Sequence, residues 1–351
     1  MTNASPPPPP AAAASGAPQT LTPEQYAQVA ASIEAAVGQV IVGQREVVRT
    51  VLLSLLCEGH VLLEGVPGLG KTRLLTALAH AVSLDFGRIQ FTPDLMPADV
   101  TGTQVLEEDD DGRRSFRFRP GPIFNGLVLA DEINRATPKT QSALLEAMAE
   151  RSVTVAGTTR DLDRPFLVMA TQNPIEQEGT YPLPEAQLDR FMFKAEVPFP
   201  SAEDLAMIIA RTTAGAEVEP SPAADGPTLR AMIAMTRSVP VADDVVAHAV
   251  DLVVASHPDN ERAPEPITRY VRAGASPRGA QALILGAKAM ALLDGRPSAS
   301  SDDIRALAPA ALGHRLVLGY EAAADSVTPR QLVQGLLEAI SPPGSGVRGA
   351  P

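Results

Sequence analysis

The run Gly65-Val66-Pro67-Gly68-Leu69-Gly70-Lys71-Thr72 has the spacing G-x-x-x-x-G-K-[ST], which can hold a chain of phosphates. Its glycines let successive backbone N–H groups turn toward an anion, and a helix starting behind them adds its partial positive charge. Val66, Pro67, Gly68, Leu69 and Gly70 would form the cradle. Lys71 can reach the β- and γ-phosphates of a nucleoside triphosphate, and the Thr72 hydroxyl can ligate Mg²⁺. A second feature, the acidic pair Asp131-Glu132, follows the apolar run Leu127-Val128-Leu129-Ala130. There Asp131 can hold the water shell of Mg²⁺ beside Thr72, and Glu132 can activate a water on the γ-phosphate. An Asp-Glu pair at a strand end could also be simple helix capping, but the phosphate loop beside it favours the catalytic reading. Thr171-Gln172-Asn173 ends another apolar run, and the Asn173 amide could bond the attacking water or the γ-phosphate. Asn-Pro is also a common turn, so this third feature is the least specific.

These groups meet only if the right elements carry them. His60-Val61-Leu62-Leu63-Glu64 suits a short buried strand, and Arg73 to Val82 is apolar at helical spacing. Strand, glycine loop and helix is the setting that the motif requires. Further strands are expected at Arg88–Phe91, Leu127–Ala130, Phe166–Ala170 and Phe191–Val197. Helices are expected from Thr22 to about Ala36, from Arg45 to Cys57 and around Thr140–Met148. This alternation predicts an α/β fold with a parallel five-stranded sheet between helices, the Phe166 strand lying beside the phosphate-loop strand. Ligands in such sheets sit at the carboxyl ends of the strands.

Two hairpins should interrupt the alternation. Thr103–Glu108 and Arg114–Arg119 flank an Asp-Gly turn, and Ser152 to Arg160 forms the second. The acidic run Glu107 to Asp111 reads as a solvated tip. Beyond Pro200, a linker from Gly215 to Pro227 precedes helices alone, starting at Ser276-Pro277, Ser301-Asp302 and Thr328-Pro329. The expected organisation is a disordered Pro/Ala-rich extension (1–21), an α/β nucleotide-binding core (22–199), a helical lid with its linker (200–340) and a disordered tail (341–351).

Composition narrows the classes. At 351 residues and 45% apolar, the chain can bury more than one core, and its formal charge of −12 argues against a sequence-independent grip on nucleic acid or acidic lipid. No apolar run approaches the roughly 18–20 residues of a membrane span. The first twenty residues carry no basic start and no apolar core of a secretion signal. Cys57 alone cannot form an internal disulfide, sits in an apolar helical stretch and reads as a core thiol. The expected setting is cytoplasmic. No histidine shows metal spacing, and His314 reads as structural.

Phosphate loop, Asp-Glu pair, Asn173, Arg190 and then a helical region form an order that resembles the AAA+ ATPases. The chain is most similar to the MoxR family, in the group with a helix-2 insert and a hairpin before sensor 1. Besides the loop, this rests on Val42-Gly43-Gln44, Gln90-Phe91-Thr92-Pro93-Asp94-Leu95-Met96-Pro97 and Asp131-Glu132-Ile133-Asn134-Arg135-Ala136. It rests also on Leu183-Pro184-Glu185-Ala186-Gln187-Leu188-Asp189-Arg190-Phe191 and Gly274-Ala275-Ser276-Pro277-Arg278-Gly279. The likeness spans about residue 23 to 340.

The resemblance implies roles by position. Val42 and Gly43 would line the adenine pocket, Asn173 would be sensor 1, and Arg278 sensor 2 in the first turn of its helix. Arg190 would be an arginine finger completing a neighbour's site, with a salt bridge to Asp189 or Glu185 as its plainer role. Arg135 would face a subunit interface or simply solvent. Gly313 stands where members often carry Arg, which bears on lid contacts. The implied protein is a Mg²⁺-dependent ATPase binding ATP and ADP, assembled as a homo-oligomeric ring, a hexamer. It would act as a chaperone on partners with von Willebrand factor A domains. A magnesium-chelatase-like motor subunit, a DNA-dependent motor and a non-hydrolysing nucleotide-gated scaffold are the rivals.

Overall fold

A computed structural model describes residues 21–108, 112–174, 179–213 and 219–342. The expected disorder of the two chain ends, the tip Asp109–Asp111 and the start of the linker at Gly215 lie outside them.

The chain opens with α1 (Pro23–Gly38) and α2 (Arg45–Leu56). Thr22 and Gln25 exchange side chain-to-backbone bonds at the first turn of α1, a capping box of the kind that adds about 1 kcal/mol. Next come β1 (Val61–Glu64), α3 (Lys71–Val82), β2 (Phe86–Gln90) and the short α4 (Pro97–Thr101). The first hairpin pairs β3 (Gly102–Glu108) with β4 (Arg114–Pro120), both faces largely solvated, with Phe116 70% exposed. Then follow β5 (Leu127–Asp131), α5 (Pro138–Glu150), the hairpin β6 (Ser152–Val155) and β7 (Thr158–Asp161), β8 (Leu167–Gln172), α6 (Glu185–Leu188) and β9 (Phe193–Glu196).

Strands β2, β5, β8, β1 and β9 form the expected five-stranded parallel sheet in that order, with β8 beside β1. The inner strands β5, β8 and β1 read as nearly unbroken apolar runs because both of their faces are covered, whereas the edge strands β2 and β9 carry exposed polar residues. The two-residue period still sorts them. Val61, Leu63, Leu127, Leu129, Leu167 and Met169 join one core with α1, α2 and α3. Leu62, Val128, Ala130, Val168 and Ala170 join the other with α5. Cys57 is buried in the first core, its thiol pushed up to about 12 by burial, as a packed core thiol should be.

The remaining helices are α7 (Ala202–Thr213), α8 (Gly226–Ser238), α9 (Asp243–Ala255), α10 (Glu265–Tyr270), α11 (Pro277–Leu293), α12 (Ser301–Leu312), α13 (Tyr320–Ala324) and α14 (Pro329–Ala339). Ser276, Ser300 and Thr328 cap α11, α12 and α14. One expectation needs correcting. The region is not helices alone, because β10 (Val271–Ala273) and β11 (Val317–Leu318) form an antiparallel pair. Runs of two and three residues carry no legible period, so only the fold brings Val271 opposite Leu318.

The helical region packs directly on the sheet. Glu58 at the end of α2 meets Arg151 and Arg164 of the core at 3.3 Å each and Arg237 of α8 at 2.9 Å. Burial would raise the Glu58 carboxyl, but the three guanidiniums outweigh it and hold it low. In the same core, Phe193 of β9 presses on α11 at Gly286. A Cβ there would lie 2.8 Å from both Phe193 Cζ and Leu307 Cδ1. Gly286→Ala should therefore lower the denaturation midpoint. Overpacking of about 1–3 kcal/mol outweighs the gain of at most about 1 kcal/mol from helix propensity. An unchanged or raised midpoint in urea would show that the two regions are not locked at this contact.

Candidate active site

The phosphate loop turns between β1 and α3 at the carboxyl edge of the sheet. Gly68 and Gly70 hold φ of +83° and +78°, a left-handed region that disfavours side chains, and the space beside them is open. Gln44, just after Val42-Gly43, donates from Nε2 to the Leu69 carbonyl at 2.9 Å and so pins the loop crown. Lys71 Nζ donates to the Gly65 carbonyl at 2.5 Å. Burial pulls its ammonium below the ordinary value, against the opposing carboxylates of Asp131, Glu132 and Glu64. A triphosphate arriving there would supply the counter-charge.

A cavity of about 330 Å³ opens over this loop. Its wall includes Pro67, Gly68, Leu69, Gly70, Lys71 and Thr72 from the loop, Asp131 and Glu132 from the end of β5, and Thr171 and Asn173 from the end of β8. Three sequence features far apart in the chain thus meet in one hollow. They meet because β1, β5 and β8 are parallel neighbours whose carboxyl ends lie side by side.

Thr171 organises the acidic pair. Its hydroxyl donates to Asp131 Oδ1 at 2.7 Å and accepts from the Glu132 backbone N–H at 2.9 Å. Glu132 itself sits in the left-handed region at φ +56°, which costs a residue with a side chain on the order of 1–3 kcal/mol. Two donors hold its Oε2: Gln90 Nε2 and Arg135 NH1, each at 2.9 Å. Asp131 Oδ2 accepts from Arg88 at 2.8 Å. Arg135 therefore bonds the candidate base, a role that the sequence did not suggest.

The donor set suits Mg²⁺. Thr72 and Asp131 offer oxygen ligands on one cavity wall, and a hard cation prefers oxygen and keeps several waters. When bound, the ion would neutralise charge on the phosphates.

Other expected site residues stand outside this cavity wall. Val66 is not among its lining residues, and Val42 is buried beside Gly43, whose φ is +74°. A Cβ on Gly43 would run into the Asp204 carboxylate of α7. Arg190, half-buried after α6, donates from NH1 to the Leu145 carbonyl of α5 at 2.5 Å. Arg278, half exposed in the first turn of α11, lies 3.9 Å from Asp189. His314 is buried and bonds the Phe191 carbonyl through Nε2 at 3.0 Å, a structural role.

Comparison with known proteins is decisive for the family. Residues 60–193 match the model of the "ATPase family associated with various cellular activities (AAA)", and residues 267–336 match that of the AAA lid domain. The chain is 43% identical over 308 residues to Chaperone MoxR1 of Mycobacterium tuberculosis, covering 88% of this chain and 80% of that protein. It is 34% identical to Protein MoxR of Paracoccus denitrificans, with 84% and 91% covered. The chain belongs to the MoxR family of AAA+ ATPases. YeaC of Bacillus subtilis is 44% identical, with 88% and 92% covered. A crystal structure from Cytophaga hutchinsonii superposes with a TM-score of 0.85 at 39% identity, over 91% of this chain and 96% of that one.

Sequence reasoning on this MoxR-family site missed the residues that hold others: Gln90, Arg88, Thr171 and Gln44. Gln90 ends β2, and Thr171 sits just before the end of β8 at Gln172, so a polar residue at the end of an apolar strand was the available signal. The partner of each could not be read without the strand order. Among the described residues no helix is long and apolar enough to cross a membrane, and no cluster of three or more His, Cys, Asp or Glu could hold a metal.

Proposed function

We propose that this chain hydrolyses ATP with Mg²⁺ as one subunit of a MoxR-type ring, a hexamer, and uses the cycle to remodel partner proteins. The observation that carries this is the single cavity gathering the phosphate loop, Asp131, Glu132 and Asn173. In this reading Lys71 and the loop amides hold the β- and γ-phosphates, while Thr72 and Asp131 hold the ion. Glu132 draws a proton from the attacking water, and Asn173 orients that water or the γ-phosphate. Val42 and Gly43 take the adenine. Arg278 reports on the γ-phosphate from the lid, and Arg190 completes the neighbour's site.

One feature favours hydrolysis over a nucleotide-gated scaffold. Glu132 is held in a strained backbone by three separate contacts, an arrangement that mere binding does not need. The chaperone role rests on kinship with Chaperone MoxR1, and the client class, proteins with von Willebrand factor A domains, rests on the family resemblance. The division into a core to residue 199 and a lid from 200 belongs to the same reading, as does a cytoplasmic setting.

Assembly tests the ring directly. Adding ATP and Mg²⁺ should raise the mass seen by light scattering to that of several subunits. A 36.8 kDa particle in every nucleotide state would exclude the shared site.

A further inference from the structure

One carboxylate sits between the two arginines that the proposed cycle uses. Asp189 caps the end of α6 in the core and directly precedes Arg190. Its Oδ1 accepts from Ser276 Oγ at 2.7 Å and from Arg315 Nε at 2.9 Å. Its Oδ2 faces Arg278 NH1 at 3.9 Å. All three partners belong to the helical region, two of them to the start of α11.

The two guanidiniums are held very differently. Arg315 has a side chain only 2% exposed and spends its donors on Asp189, on the carbonyls of Asp189, Phe191 and Met192, and on that of Ala311. With His314 on the Phe191 carbonyl, it reads the backbone of residues 189–192 as a template. Arg315 is fixed. Arg278 is half exposed and touches Asp189 only at the edge of ion-pair range. A γ-phosphate carries more charge than one carboxylate, so Arg278 can leave Asp189 for it while Arg315 stays.

We propose that Asp189 is a positioning residue that couples successive sites of the ring. It holds Arg278 when no γ-phosphate is present, and through the Arg315 template it fixes the backbone that aims Arg190 at the neighbour. A shift of α11 on nucleotide binding therefore reaches the finger through Ser276 and Arg315, without passing through the sheet. The inference rests on the reading of Arg190 as acting in trans.

Asp189→Asn keeps the shape and an acceptor for Ser276 but removes the charge. It should bind fluorescent ATP within about twofold of the parent, while turnover falls at least about tenfold with little change in KM, the pattern of a misplaced group. Subunit mixing then locates the defect. Mixed with Glu132→Gln, Asp189→Asn should regain activity, because the Glu132→Gln neighbour lends an ordered finger. Mixed with Arg190→Ala it should regain none, because neither subunit donates a competent finger. Recovery in the second mixture would overturn the inference, since Asp189 would then serve only its own site. Loss of ATP binding together with a lowered melting temperature would overturn it too, leaving Asp189 as a fold element. If Asp189→Asn does not fold, Asp189→Glu keeps the charge that Arg315 needs but moves the carboxylate by one methylene, so it should lose less turnover and that loss should follow the same mixing pattern. Arg190→Ala with Glu132→Gln is the control, and no recovery there sinks the trans reading itself.

Discussion

Glu132→Gln is expected to hold ATP as tightly as the parent chain and to turn it over at least about 100-fold more slowly, the scale of a lost general base. The two side chains are nearly the same size, so the hollow over the phosphate loop keeps its shape. The amide oxygen can still accept from Gln90 and Arg135, which now bond Glu132 Oε2 at 2.9 Å each. Thr171 holds the backbone N–H and is untouched by the change. What disappears is the ability to take a proton from water. Binding by fluorescent nucleotide and turnover by phosphate release separate the two effects. Turnover within a few-fold of the parent would remove Glu132 from the mechanism. A parent chain without turnover, and a variant indistinguishable from it, would favour the scaffold reading. The variant also traps the ATP state, so immobilised Glu132→Gln protein with ATP should retain client longer than it does with ADP.

Much of this was readable before any coordinates. The phosphate loop, the Asp131-Glu132 pair and Asn173 each end an apolar strand, and strands buried on both faces announce themselves as short runs of Val, Leu and Ala. The caps at Thr22, Ser276 and Thr328 fixed three helix starts because Ser or Thr followed by Pro has few other uses. What stayed illegible were relations between distant residues. Gln90 reaches Glu132 only because β2 and β5 are neighbours in register, with Gln90 opposite Asp131. Asp189 looked like a partner for Arg190, yet the fold gives it to Arg315, 126 positions away, while Arg190 turns to Leu145. The β10–β11 pair was missed for a related reason: two residues of strand carry no period.

Arg190→Ala should bind ATP normally yet lose turnover by roughly 10³–10⁵-fold, the range known for arginine fingers acting on phosphoryl transfer. The geometry makes a role at the neighbour's phosphates more economical than one at its own. Arg190 lies outside the wall of its own nucleotide cavity, and its side chain bonds the Leu145 carbonyl of α5. A guanidinium that can leave one carbonyl bond for a phosphate gains a charge-assisted contact of roughly twice the strength. The decisive measurement is mixing. Arg190→Ala subunits keep Glu132, and Glu132→Gln subunits keep Arg190, so each inactive parent holds what the other lacks. In a mixed ring some Arg190→Ala sites would sit beside an intact finger, and phosphate release should rise well above either parent, peaking near equal proportions. If every mixture stays at the level of its parents, Arg190 acts within its own subunit or only on the fold. An unchanged melting temperature for Arg190→Ala would then leave a role in its own site. A lowered one would point to the lost bond to Leu145 instead.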